Sequence, residues 1–255
     1  MRIFLILAAL VTAAFITLTE LRGPAQAQGE RLTEADRALL HEEIRAYLLE
    51  NPQILREMIA LLEAEDAARA EVNDRELVVQ HAEAIFEDGF SFVGGNPEGS
   101  FTIVEFLDYQ CGFCKRAHPE LMDLLAEDGD IRWIVKEMPI LGPNSVLASR
   151  AAVATMIAEG AETYGRLVDG LMRSEGPIDD FALDEALTAA GADPATVRAA
   201  MQDPEVERRI AATRALADTL RITGTPTFVL GDLMVRGYVP RAQMQNAIAQ
   251  LRAEE

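Results

Sequence analysis

Apolar residues at Leu40, Ile44, Tyr47 and Leu48, then Ile54, Leu55, Met58, Ile59 and Leu62, alternate spacings of three and four, the stripe of an amphipathic helix. Thr33-Glu34-Ala35-Asp36 reads as its start, with acids in the first turn. Asn51-Pro52 predicts a break, with Asn51 as N-cap and Pro52 as first residue of a second helix. That helix runs through the charged stretch 64–70 and regains apolar phase at Leu77, Val78, Ala82, Ile85 and Phe86. A short strand is expected at Phe90–Val93. The turn cluster Val93 to Ser100 separates it from the nearly unbroken apolar strand Phe101–Leu107. A helix over Cys114–Glu127 and a strand over Ile131–Glu137 follow, and strand, helix, strand at this length is a right-handed crossover between parallel neighbours.

From Ser145 to Leu220 alanine-rich stripes broken at Gly160, Gly176-Pro177, Gly191 and Asp203-Pro204 predict helices over Val146–Glu159, Tyr164–Arg173, Phe181–Ala190, Pro194–Met201 and Pro204–Leu220. A hairpin is expected at Thr227–Leu230 and Leu233–Val235 around Gly231-Asp232, then a last helix over Arg241–Arg252. The pattern is α/β: a sheet interrupted by a helical subdomain at about 145–220 and preceded by a helical arm. The organisation expected is a signal peptide at 1–27, the arm at 28–86 and the sheet domain at 87–255. A stripe as long as the arm's needs a cover, either the chain's own domain or copies of itself.

The signal reading rests on Met1-Arg2, the apolar run Ile3 to Leu18 and Pro24-Ala25-Gln26-Ala27, an A-x-A site with cleavage after Ala27. The alternative is an uncleaved anchor, for which the run is short. Without residues 1–27 the chain carries 21 basic against 41 acidic residues. That balance argues against nucleic acid and anionic lipid as partners. Export leads to the periplasm, an oxidising compartment.

The only cysteines, Cys111 and Cys114, stand with two residues between them where the strand gives way to the helix. Amide donors and the dipole at a helix N-terminus favour an anion, which makes Cys111 the candidate nucleophile, with an exposed sulfur, and Cys114 the group that resolves a mixed disulfide. The competing readings are a structural disulfide, a metal site and two inert core thiols. The first closes almost no loop. The second lacks ligands, because His41 and His81 are remote in sequence and His118 is out of phase on the helix.

Glu105 six residues before Cys111, the Cys111-Gly112-Phe113-Cys114 centre, the stretch Met138-Pro139-Ile140-Leu141-Gly142-Pro143, the helical insertion and Thr225-Pro226 together resemble the DsbA-type thiol:disulfide oxidoreductases of thioredoxin fold, over residues 90–252. The arm, with Tyr47 and Asn51-Pro52, resembles the N-terminal segment of the suppressor-of-copper-sensitivity C (ScsC) proteins. The resemblance implies a protein disulfide oxidoreductase or isomerase with Cys111 attacking and Cys114 resolving. It implies Pro226 as a cis-proline, Thr225 offering its backbone to an extended substrate, and Glu105 as a buried carboxylate handling the proton of Cys114. Strand alternation alone leaves the face of Glu105 undecided. Lys136 is the nearest counter-charge for it, although a surface strand lysine is the plainer reading. The partners implied are protein substrates with cysteines or disulfides and a membrane redox partner, with a homotrimer through the arm and no cofactor or metal. Where oxidising members carry Pro-His between the cysteines, this chain has Gly112-Phe113, which supplies fewer donors to the thiolate and so a less oxidising disulfide. A copper-binding role for the same two sulfurs, as soft ligands of Cu(I), is the alternative from another class. A chaperone-like oligomeric scaffold with a structural CxxC is a third.

Overall fold

A computed structural model describes residues 33–254 of the 255. The signal peptide expected at 1–27 lies outside the described residues. The chain divides into two units, one ending at Glu63 and one running from Ala64.

In the first unit helix α1 (Glu34–Glu50) starts at Thr33, whose hydroxyl accepts the Asp36 amide at 3.2 Å while the Asp36 carboxylate accepts the Thr33 amide at 2.9 Å. This reciprocal box satisfies two otherwise orphan donors. Asn51 departs from its expected part. Its side-chain amide donates to the Tyr47 carbonyl at 2.8 Å, so it closes the C-terminal end of α1 instead of capping the next helix. Helix α2 (Pro52–Gln80) follows directly and crosses into the second unit. Within the first unit the apolar stripe, including Leu40, Ile44, Tyr47, Met58 and Leu62, is exposed.

In the second unit α2 ends at Gln80 and α3 (Ala82–Phe86) follows. The five-stranded sheet has the order β1-β3-β2-β4-β5, built from β1 (Phe92–Gly95), β2 (Phe101–Leu107), β3 (Ile131–Glu137), β4 (Thr227–Leu230) and β5 (Leu233–Arg236). β2 and β3 are parallel, as the crossover requires, and the other pairings are antiparallel. β1 starts two residues later than expected. The Asp88 carboxylate accepts the amides of Phe90 and Ser91 at 3.1 and 2.9 Å and holds them in a turn, so pairing begins only at Phe92. The strand then extends into Gly95, where φ is 64° and a Cβ would meet the Ile131 carbonyl oxygen at 2.5 Å.

Helix α4 (Gly112–Asp128) links β2 to β3, and five helices fill the interval between β3 and β4: α5 (Pro143–Ala158), α6 (Ala161–Arg173), α7 (Asp180–Ala189), α8 (Pro194–Ala200) and α9 (Pro204–Thr219). Helix α10 (Arg241–Glu254) ends the described chain. Side chains alternate across the sheet. Ile103, Leu107, Trp133 and Val135 pack with α4, α5, α6 and α10. Val104, Phe106 and Ile134 pack on the other face with Val78 of α2, Ile85 of α3 and Leu216 of α9. Asp74 and Arg75 of α2 also pair with Arg236 and Asp232 of the β4–β5 hairpin, the second pair at 3.1 Å.

Lys136 is neither a surface lysine nor the partner of Glu105. It is 1% exposed on the face of Phe106 and Ile134, and its ammonium donates to Asp88 at 2.5 Å and to the Ala84 carbonyl at 3.0 Å. Alternation puts its neighbours Val135 and Glu137, and with them Glu105, on the opposite side of the sheet. Replacing Lys136 by Ala leaves the Asp88 carboxylate without its counter-ion. The expected loss in urea unfolding is about 3 kcal/mol, against roughly half a kcal/mol or less for a surface lysine.

Candidate active site

β2 delivers the chain to a turn in which Asp108 is wholly buried. One carboxylate oxygen accepts the Gln110 amide at 2.7 Å and the other accepts the amides of Ile140 and Leu141 at 2.8 and 3.0 Å. One side chain thereby ties the β2–α4 turn to the Met138–Pro143 stretch that the sequence singled out. Cys111 is the N-cap of α4, and its sulfur accepts the Cys114 amide at 3.4 Å, the place a serine or aspartate oxygen usually takes.

The two sulfurs are inequivalent. The Cys114 thiol donates to the Cys111 sulfur, and although burial opposes ionisation, Thr225 and the amides of Cys114 and Phe113 add to that donation and bring the Cys111 thiol down to about 5. Burial pushes the Cys114 thiol far up, and its donation to Cys111 and the nearby Glu105 charge push in the same direction. Cys111 is less open than expected. It is 6% exposed, with Cys114 at 0%, because the segment before β4 covers it and the neutral sulfhydryl donates to the Thr225 carbonyl at 3.1 Å. The Thr225 hydroxyl is buried there with no partner, the group at hand to donate once the sulfur is an anion. The Thr225–Pro226 bond is cis. Phe113, Ile140 and Leu141 form an exposed apolar rim.

Glu105 is wholly buried on the face of the sheet that carries the dithiol. One oxygen accepts the Trp133 indole N–H at 3.2 Å and the other has no partner among the described residues. Burial raises this carboxyl to about 8, the Trp133 bond partly offsets that, and the charges of Cys111 and Glu137 add to it. The sequence thus named five residues, and the structure brings Cys111, Cys114, Glu105, Thr225 and Pro226 around one point. His118 corrects the phase argument. It stands four residues beyond Cys114 on the same buried face of α4, with its Nε2 3.0 Å from Asp169 of α6. Among the described residues no group of three or more His, Cys, Asp or Glu side chains could hold a metal ion.

Sequence reading passed over Glu137, Tyr109 and Tyr164. Glu137 stands two residues beyond Val135, which faces Glu105 in the parallel register, so it shares the face of Glu105. Both tyrosine hydroxyls donate to one of its oxygens at 2.6 Å. The available signal was the in-phase acid at the end of β3; Tyr164, on a helix far along the chain, gave none.

A central strand feeding a two-cysteine helix N-terminus across from a cis-proline, on a sheet of this order, defines a thioredoxin-like protein. The chain belongs to the DSBA-like thioredoxin domain family, whose model matches residues 102–249. The copper resistance protein ScsC N-terminal domain matches residues 36–69, within the arm. A thioredoxin-like oxidoreductase from Silicibacter pomeroyi is similar at 36% identity and a TM-score of 0.64, over 67% of this chain and 97% of that one. A periplasmic thioredoxin-like protein from Salmonella enterica serovar Typhimurium is similar at 30% identity and a TM-score of 0.62, over 66% and 94%. Among curated relatives, a Na(+)/H(+) antiporter NhaA 3 of Salinispora tropica is 28% identical over 138 residues, 53% of this chain. The chain spans about a fifth of the length of the curated relatives it matches. No described helix is long and apolar enough to cross a membrane.

The unfolded chain holds the Cys111 proton up to about pH 9, whereas the folded reduced protein releases it above about pH 5. Unfolding therefore takes up a proton across that window, and this contribution to stability rises with pH through it and is lost as pH falls to 5. Glu105, held protonated up to about 8 in the fold, acts in the opposite sense. The unfolding midpoint of the reduced form relative to the oxidised is expected to climb from pH 5 to pH 9, with Cys111 alkylation half-maximal near pH 5. A flat difference and a half-rise near pH 9 would mean an ordinary thiol.

Proposed function

We propose that this protein is a periplasmic thiol:disulfide oxidoreductase acting on protein substrates, with Cys111 as the attacking and attacked sulfur. The observation that carries this reading is the inequality of the two sulfurs, one poised as a thiolate at a helix N-terminus and the other buried and protonated beside it. In the reducing direction the Cys111 thiolate attacks a substrate disulfide. A Cys111–substrate S–S bond forms, the substrate S–S bond breaks and the other substrate sulfur leaves as a thiolate. That thiolate either attacks elsewhere in the substrate, which is isomerisation, or leaves Cys114 to act. With Glu105 ionised, Cys114 gives its proton to that carboxylate and displaces the substrate sulfur from Cys111, so the dithiol loses two electrons and the substrate gains them. Thr225 and Pro226 stand where an extended substrate would lie against the sulfur, with the apolar rim of Phe113, Ile140 and Leu141 beside it.

Gly112 and Phe113 place no side-chain donor between the cysteines, which favours isomerase or reductase work over strong oxidation. Net reduction of a substrate leaves the pair oxidised, and a membrane redox partner is the proposed means of resetting it. The signal segment and the periplasmic relative support export. The exposed stripe of the first unit and its match to the ScsC N-terminal domain support a homotrimer through the arm. That same match, described as a copper resistance protein, favours a second reading in which the two thiolates bind Cu(I). Tight copper binding by the reduced protein without thiol exchange would select it.

Cys111→Ser is expected to abolish both insulin reduction and refolding of scrambled ribonuclease, while Cys114→Ser accumulates a mixed disulfide with substrate. Full activity in Cys111→Ser defeats the proposal. Deleting residues 28–75 is expected to turn a sedimenting trimer into a monomer and to depress ribonuclease refolding more than insulin reduction; a monomer before and after deletion removes the arm from the reading.

A further inference from the structure

The proposed exchange leaves one buried acid unused. Glu137 is 6% exposed at the end of β3, on the dithiol side of the sheet and two residues beyond the register partner of Glu105. One of its oxygens takes both tyrosine hydroxyls; the other meets no donor in hydrogen-bond geometry among the described residues, with the Ser149 hydroxyl near enough to draw the carboxyl down. The free oxygen of Glu105 meets no such donor either. Two acceptors left open on neighbouring buried carboxyls are costly as a pair of anions, and a single proton held by one of them relieves the repulsion.

The two acids differ in access. Glu105 is sealed at 0% exposure, whereas Glu137 and Tyr164 line a cavity of about 20 Å³, room for one water molecule, with Ser91, Arg209 and Thr213 on its other walls. A proton taken from Cys114 by Glu105 needs a route to solvent, and Glu137, unlike Glu105, lines that cavity.

We propose that Glu105 and Glu137 titrate as one pair beneath the dithiol, holding a single proton near neutral pH, and that Glu137 is the positioning residue through which this proton exchanges with solvent. The inference rests on the thiol-disulfide reading. The step occurs with the pair's proton on Glu137 and Glu105 as the carboxylate: as Cys114 forms its S–S bond to Cys111 its proton passes to Glu105, and the pair then returns one proton to water by way of Glu137, which restores its single proton. The groups facing Glu137 are Glu105 on β2, Asp108 and Tyr109 after it, Ser149 of α5 and Tyr164 of α6. Arg209 of α9, across the cavity, is engaged by Glu205 and by the Phe90 carbonyl. Burial carries Glu137 up to about 7, Tyr109, Tyr164 and Ser149 draw it down, and the Asp108 charge adds to the rise.

Glu137→Gln keeps the oxygen that both tyrosines donate to and removes the charge. The test follows, against pH, the rate at which Cys114 releases glutathione from a Cys111–glutathione mixed disulfide. In Glu137→Gln the apparent pKa of this step is expected to fall by about one unit, since Glu105 loses a like charge. On a Glu105→Gln background the same change is expected to produce no further shift. Profiles that superimpose, or an equal shift on that background, overturn the proposal. Infrared titration of the wild-type protein serves if the variant does not fold: protonated-carboxyl absorption lost in two steps on either side of neutrality supports the pair, and loss in a single step sinks it. Glutathione release that does not depend on Cys114 in the wild-type protein would instead remove the thiol-disulfide reading itself.

Discussion

The unequal environments of two sulfurs three residues apart govern the rest of the site. Cys111 occupies the cap position of α4, where backbone amides and the Cys114 thiol converge on it, and Cys114 lies one turn inside against the buried face of the sheet. A thiolate stabilised without a formal positive charge depends on donors that cannot move away. The turn that supplies them is held by Asp108, which accepts three amides from two segments. The 138–143 stretch and the Thr225–Pro226 segment therefore belong to the site through backbone geometry, and it is a turn carboxylate that sets the positions of the amides around the sulfur.

The sheet separates two kinds of buried charge. On the face toward α2, α3 and α9, Lys136 and Asp88 neutralise each other at 2.5 Å. That arrangement is structural, since each charge has its partner. On the dithiol face Glu105 and Glu137 have hydrogen-bond donors but, among the described residues, no counter-ion, and burial raises both toward neutrality. Acids left in that condition change protonation within the range where thiols react, which ionised surface carboxylates do not. Alternation along β3 places Lys136 and Glu137, adjacent in sequence, in these opposite roles.

The two units present different physical problems. The second unit covers the apolar residues of its sheet on both faces with its own helices. The first unit leaves Leu40, Ile44, Tyr47, Met58 and Leu62 in solvent, on a helix closed by Asn51 and reopened at Pro52. A stripe at three-and-four spacing without its own cover is the surface that a self-associating helix offers. The family match over residues 36–69 concerns this segment and the match over 102–249 concerns the sheet unit.

Local chemistry was enough to determine much of this protein. The apolar strand Phe101–Leu107, the parallel crossover to Ile131–Glu137, the five helices before the hairpin and the dithiol at the head of α4 are all legible, because each depends on periodicity, turn residues or spacing within a short window. The resemblance carried by Glu105, the cysteines and Thr225-Pro226 also pointed to the right family. Tertiary structure alone decided that Lys136 is buried against Asp88, that Asn51 serves the helix before it, that Thr225 closes over Cys111, and that Tyr109 and Tyr164 converge on Glu137. The physical reason is common to these cases. A polar side chain's protonation and partner are set by what the fold brings near it and by how much water it excludes, and neither quantity is written in the residues beside it along the chain.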